Sequence, residues 1–173
     1  MMKKCLICFL LVMQFAFFFS GCKGDISIGD YDFVNPLGDK NLEGRKKGEE
    51  IMDYLKTGNV EAFKDMFCKV LQDQDDFSEK IDEIMSFIDG EIISYNKIVG
   101  GAGGRGEAWE QLAPNVNNIE TSKGNFYKIY ISIYIQNENP DKLGINSFKI
   151  CLLGEKNEYG NRKSIDDVSL YIE

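Results

Sequence analysis

The chain has 173 residues, with 20 Lys and Arg against 28 Asp and Glu, a net charge of −8, and no histidine. That length holds one domain of ordinary size beside a leader. The missing histidine excludes a Ser-His-Asp triad, a Cys-His dyad and His-ligated zinc, and the acidic balance argues against a nucleic-acid-binding surface.

Residues 1–21 read as an export signal. Lys3 and Lys4 form a positive n-region, and an apolar run from Cys5 to Phe19 is broken only by Gln14. The run is shorter than the ~20 residues that span a bilayer and has the size of a signal-peptide core. It ends in Phe19-Ser20-Gly21-Cys22. Small residues before a cysteine at this place resemble the lipobox of bacterial lipoproteins, although the usual aliphatic residue is Phe19 here. The resemblance implies a diacylglycerol thioether on Cys22, cleavage before it, and anchoring on the extracytoplasmic face of the cell membrane. Two or more acyl chains hold a protein stably, at ~0.8 kcal/mol per buried CH₂. Loss of Lys3 and Lys4 leaves 18 basic against 28 acidic residues, a net −10. Such a surface is repelled by anionic lipid, so the lipid and not a basic patch is the expected anchor.

Residues 22–42 read as the lipidated N-terminus and a flexible tether, rich in Gly, Asp and Asn-Pro turn chemistry, with a reach of roughly 25 Å. Ile26, Ile28, Tyr31 and Phe33 alternate with polar residues, so an added edge strand is the competing reading. The folded domain is expected over 43–173. Its first helix covers about 43–57, with Ile51, Tyr54 and Leu55 on the apolar side and Gly58 as the stop. Asn59 caps a second helix, about 60–71, carrying Val60, Phe63, Met66, Phe67 and Leu71. A third starts at Ser78, carries Ile81, Ile84, Met85 and Ile88 at helical spacing, and ends at Gly90.

Beyond Gly90 the apolar period falls to about 2. Strands are expected near 91–95, 113–121, 126–136, 145–153 and 164–172, with the glycine-rich 100–106 as a connecting loop. The strand 126–136 is the clearest. Its odd positions, Tyr127, Ile129, Ile131, Ile133 and Ile135, make a face that must be buried; its even positions, Phe126, Lys128, Tyr130, Ser132, Tyr134 and Gln136, make an amphipathic one. Helices before strands indicate an α+β fold, three N-terminal helices packed on a curved antiparallel sheet of four to five strands.

Two segments carry a family resemblance: Gly58-Asn-Val-Glu-Ala-Phe-Lys-Asp-Met-Phe67 and Phe87-Ile-Asp-Gly-Glu-Ile-Ile-Ser-Tyr95. With the lipobox, they resemble an uncharacterised family of Gram-positive lipoproteins, the domain of unknown function numbered 5104. The first segment is also similar to the opening of nuclear-transport-factor-2-like, or cystatin-like, domains. This resemblance implies a cone whose bent sheet wraps the helices, and it transfers no activity and no catalytic residue.

No motif promises chemistry. Gly100–Gly106 lacks the Gly-Lys-Ser/Thr and the βαβ setting of a phosphate loop and runs into Glu107 and Glu110. The acidic run at Asp73, Asp75 and Asp76 lacks the EF-hand order. Asp166 and Asp167 are adjacent on a strand and point to opposite faces. No cofactor, metal or catalytic residue is therefore expected. Trp109, beside the glycine-rich loop, either closes a pocket, anchors a partner or packs on the sheet edge. Phe126, Tyr130 and Tyr134 form a platform for an envelope protein, a small ligand or a second copy in a homodimer, or a solvated face. Cys68 and Cys151 are left to pair as a disulfide or to stay as buried thiols. The expectation is a non-catalytic binding module, with an enzyme of isomerase or hydrolase type, pocketed between helices and sheet, as the alternative.

Overall fold

The computed structural model describes residues 36–172. The signal segment, Cys22 and the alternation at Ile26–Phe33 lie outside the described residues. Among those described, four α-helices precede seven strands: α1 (Pro36–Thr57), α2 (Val60–Asp65), α3 (Lys69–Gln72), α4 (Phe77–Phe87), β1 (Ile92–Ser94), β2 (Ala102–Arg105), β3 (Trp109–Leu112), β4 (Asn115–Thr121), β5 (Phe126–Asn137), β6 (Gly144–Lys156) and β7 (Arg162–Tyr171). The fold is α+β with one antiparallel sheet.

β5 is the axis of the sheet. β6 runs along one edge of it and carries β7 beyond. β3 and β4 share the other edge, Leu112 opposite Ile133 and Asn115 opposite Tyr130. Pro114 lies between them. It has no N–H for a ladder, yet its carbonyl still accepts from Ile131 N–H at 3.2 Å. The strand expected at 113–121 is β4 alone, starting after Pro114, while β3 before it is a strand the sequence reading did not expect; β1 and β2 pair outside them.

The isoleucine face is buried as its period requires. Tyr127, Ile129, Ile131 and Ile133 are each at most 4% exposed. The helices cover this face and fill the space over it with aromatic rings. Phe63 meets Phe67 edge-on at 5.1 Å and Phe148 at 5.3 Å, and Phe67 meets Phe77 at 5.5 Å. Such pairs add about 1 kcal/mol each beyond burial.

The expected three helices and four to five strands become four and seven, because one helix is split and β2 and β3 are added, and four further expectations are corrected. The second helix does not run through 60–71. Phe67 forms a parallel bridge with Ile145; Cys68 N–H donates to Ile145 O at 3.0 Å, and Ile145 N–H donates to Met66 O at 2.8 Å. Pairing with β6 takes these backbone groups out of the helical ladder and splits the segment into α2 and α3. The third helix begins at Phe77, with Asp76 in the cap position, so Ser78 lies inside its first turn. The first helix begins at Pro36, whose lack of an N–H costs nothing in a first turn. The glycine-rich segment is not simply a loop: it contains β2, paired to β3.

The last two corrections have one cause. A Cβ on Gly44 would lie 3.5 Å from the Gly100 and Gly101 backbone, and one on Gly48 would lie 2.8 Å from Ile98. Gly44 lets the α1 backbone meet the glycine backbone of the sheet margin directly, and Gly48 makes room for Ile98 and Pro114. Lys40 reaches Glu110 across this joint at 3.2 Å.

Candidate functional site

Phe63, Phe67 and Ile131 are buried in one continuous apolar cluster, so the space between helices and sheet is occupied by side chains. The concave surfaces lie elsewhere. One opens at the margin of α1, α2 and β5. Two follow one another along the outer face of β5, the face turned away from the helices.

The outer face is set by the register. Phe126, Lys128, Tyr130, Ser132 and Tyr134 oppose Leu153, Cys151, Lys149, Ser147 and Gly144 of β6. On the other side Tyr130 opposes Asn115 and Tyr134 opposes Gln111. The amphipathic positions of β5 therefore do face outward. Tyr130 is 41% exposed, and Lys128 Nζ lies 4.4 Å from its ring centre. Phe126 is covered by the Arg162 guanidinium, 3.7 Å from its ring centre. The sequence brings Phe126, Tyr130 and Tyr134 to one face but does not leave them equally free.

Trp109 opens β3 and is 37% exposed. Its ring meets Tyr134 edge-on at 6.1 Å, and it lies against Gly104 and Gly106, where any Cβ would come within 3 Å of the indole. Gly106 N–H donates to Trp109 O at 2.8 Å. The glycines beside the tryptophan are thus its seat, and the packing alternative describes most of its surface.

The first outer hollow has a volume of about 430 Å³ and is lined by Asn96, Asn117, Asn118, Lys128, Tyr130, Arg162 and their neighbours. A bulge in β4 between Val116 and Ile119 supplies two of these amides. Asn118 takes φ 51°, a left-handed conformation that asparagine tolerates better than most residues. The second hollow holds a polar chain across three strands. Gln111 Nε2 donates to Ser132 Oγ, and Ser132 Oγ donates to Asn146 Oδ1 at 2.6 Å. Tyr134, Lys142 and Tyr171 stand around it. Asn146 is 6% exposed and its Nδ2 has no acceptor among the described residues.

The hollow at the helix margin is lined by Lys47, Glu50, Tyr54, Met66, Ile133 and Tyr134 among others. Tyr54 O–H donates to Glu50 at 3.1 Å, and Lys47 pairs with Glu50 at 2.9 Å. The Lys47 hydrogen bond holds the Glu50 carboxyl below its ordinary range, and Glu50 in turn pushes the Tyr54 phenol up. An ionised, partly exposed carboxylate of this kind differs from the buried acid of raised pKa that general-acid catalysis uses.

Cys68 and Cys151 do not meet. Both are buried free thiols. Cys68 belongs to the core cluster, whereas Cys151 opposes Lys128 on the outer face, so the sheet separates them. Burial pushes the Cys68 thiol up. Among the described residues no cluster of three Cys, Asp or Glu could hold a metal ion, and no helix is long and apolar enough to cross a membrane.

Sequence reasoning missed Asn96, Asn117, Arg162 and the Gln111-Ser132-Asn146 chain. They come from different strands and converge through register. The one local signal was the doubled asparagine at 117–118, an unusual pair inside a strand pattern.

No curated protein matches the chain. A family model, the domain of unknown function DUF5104, matches residues 50–158. That span reaches from the middle of α1 to the turn after β6 and is well over half of the chain. The chain is a member of the DUF5104 family.

Proposed function

We propose that this protein is a lipid-anchored, extracytoplasmic binding module that works through the outer face of its sheet. In this reading the diacylglycerol on Cys22 fixes it to the cell membrane, and residues 22–42 include the tether. The domain is of the cystatin-like, or nuclear-transport-factor-2-like, type. Its partner is an envelope protein or a small ligand, and a second copy of the chain is the further occupant to be tested.

One observation carries the proposal: the space over the inner face is filled by Phe63, Phe67, Phe77 and Phe148, while two polar, aromatic-edged hollows lie side by side on the outer face. Sites for ligands are concave, with a few converging polar groups, and here those conditions meet outside. The sequence supports the anchor through the segment ending at Cys22.

Two experiments test the parts separately. Cys22→Ser is expected to release the protein from the membrane fraction and to remove the lipid mass from its N-terminal peptide; retention of both would end the lipoprotein reading. A photo-crosslinking residue at Tyr134 is expected to capture an envelope component in intact cells, whereas one at Glu83, exposed on α4, captures none. Equal capture at both places would remove the outer face from consideration.

The enzyme alternative rests on the Glu50–Tyr54 hydrogen bond at the helix margin. It predicts that Glu50→Gln abolishes the cellular activity of the protein while Lys128→Gln leaves it intact. The binding reading predicts the reverse.

A further inference from the structure

The outer-face hollow between β4, β5 and β7 carries a charge pattern opposite to that of the molecule. The chain has 28 acidic residues and a net charge of −8. Yet the residues lining this hollow are Asn96, Asn117, Asn118, Lys128, Tyr130 and Arg162, with Cys151, Leu153, Gly160, Asn161 and Ser164, and none is a carboxylate. Its only two charged side chains are both cations. Two outward-facing acids of the adjoining register are otherwise engaged: Glu120, opposite Phe126, accepts from Ser94 Oγ at 3.2 Å, and Asp167, opposite Cys151, is paired with Lys149 at 2.9 Å.

Neither cation is neutralised. Among the described residues no carboxylate lies within ion-pair distance of Lys128 or Arg162. Lys128 is held over the Tyr130 ring. Arg162 is fixed by stacking on Phe126 and by one bond from its Nη1 to Gly154 O at 2.9 Å, and its buried Nε has no acceptor. A guanidinium pinned in this way has lost little freedom still to lose when it meets an anion. Around the cations stand four asparagine amides, each able to donate and accept. The β4 bulge points two of them into the same hollow.

We propose that this hollow binds a small acidic saccharide, its anionic group on Lys128 and Arg162 and its hydroxyls on Asn96, Asn117, Asn118 and Asn161. Amides and a tyrosine edge match alternating hydroxyl donors and acceptors, and two fixed cations match one carboxylate or phosphate. The surrounding negative field disfavours a long polyanion, so the fitting ligand is a mono- or disaccharide unit with a single charged group. The proposal rests on the outer sheet face being the binding surface and names the ligand class for it.

The test is an amide chemical-shift titration of the fragment 23–173 with glucuronate, glucose 6-phosphate and glucose, in low and in high salt. The two anionic sugars are expected to shift amides around Asn117, Lys128 and Arg162, and glucose to bind about tenfold more weakly or not at all. Glucuronate and glucose 6-phosphate separate a carboxylate from a phosphate ligand. Affinity is expected to fall in high salt, and Lys128→Gln to weaken the better sugar about tenfold. Asn117→Ala, which leaves both cations in place, is expected to weaken both sugars without changing their salt dependence. Glucose binding as well as glucuronate, an unaltered Lys128→Gln titration, or no shift with either acidic sugar overturns the proposal. If acidic sugars fail while an envelope component still crosslinks at Tyr134, the ligand class falls and the outer-face reading stands.

Discussion

Gly144 shows how much one residue decides. It stands at φ +112°, and a Cβ there would lie 2.8 Å from Met66 O and 3.0 Å from Cys68 N. Those are backbone atoms of the bridge between β6 and the helical layer, and they cannot move aside without breaking it. Gly144→Ala is expected to cost about 3 kcal/mol in a denaturant melt. Gly124→Ala, at φ +78° with nothing within 4 Å, is expected to cost about 1 kcal/mol. Equal costs would mean that backbone conformation alone matters at Gly144. The thiols make a second case. The fragment 23–173 contains only Cys68 and Cys151, and both are free. A thiol reagent is expected to titrate two groups in denaturant without reductant and far fewer in the native state; none in denaturant would contradict the separation by the sheet. Glu50 provides a pH signature. Its carboxyl is lowered from the ordinary 4.5 by Lys47. A lowered acid adds stability above its unfolded value and loses it as pH falls through the folded one. Glu50→Gln should therefore lower stability at pH 7, where the contribution is present, and flatten the loss below about pH 4.5, so that the two proteins converge in acid. An unchanged acid limb would mean that the Lys47–Glu50 pair contributes nothing in solution.

At the scale of elements, the legible parts of the sequence were those whose burial follows a local period. β5 was read to within one residue because Tyr127, Ile129, Ile131 and Ile133 alternate without a break, and its outward aromatics followed from the same count. The split between α2 and α3 was illegible. Phe67 continues the helical stripe perfectly well, and what removes it from the helix is a partner, Ile145, that lies far along the chain. The 100–106 segment misled because glycine there lowers strand propensity, whereas its use is to admit the backbone of α1. This joint gives a paired prediction. Gly44→Ala meets only ordinary contacts at 3.5 Å and is expected to stabilise by about 0.5–1 kcal/mol through helix propensity. Gly100→Ala would place a Cβ 1.9 Å from Asn41 O and is expected to destabilise by about 3 kcal/mol or more. Two melting curves decide it, and a neutral Gly100→Ala would mean that α1 does not rest on this segment. The hollow on the outer face escaped sequence reading for the reason that hid the helix break. Asn96, Asn117 and Arg162 belong to separate segments, and register brings them together.

At the scale of the whole molecule, the helices among the described residues seal one face of the sheet and leave the other open. A membrane tether would place that open face in the envelope, beside glycans and other proteins, on a body whose negative charge keeps it from lying on anionic lipid. The core of rings on the inner side serves stability, and the polar hollows on the outer side are unexplained by stability. Among the described residues the buried Asn146 Nδ2 has no acceptor and Lys128 and Arg162 face no carboxylate, an arrangement that leaves this face open to a polar ligand. The account's central claim is that recognition happens on this outer face. It is tested most directly by titrating isotope-labelled fragment 23–173 with a soluble digest of cell envelope and following every backbone amide. The account predicts shifts concentrated at Asn117, Lys128, Tyr130, Tyr134 and Asn146. Shifts concentrated instead at Lys47, Glu50 and Tyr54 would contradict it and move the site to the helix margin.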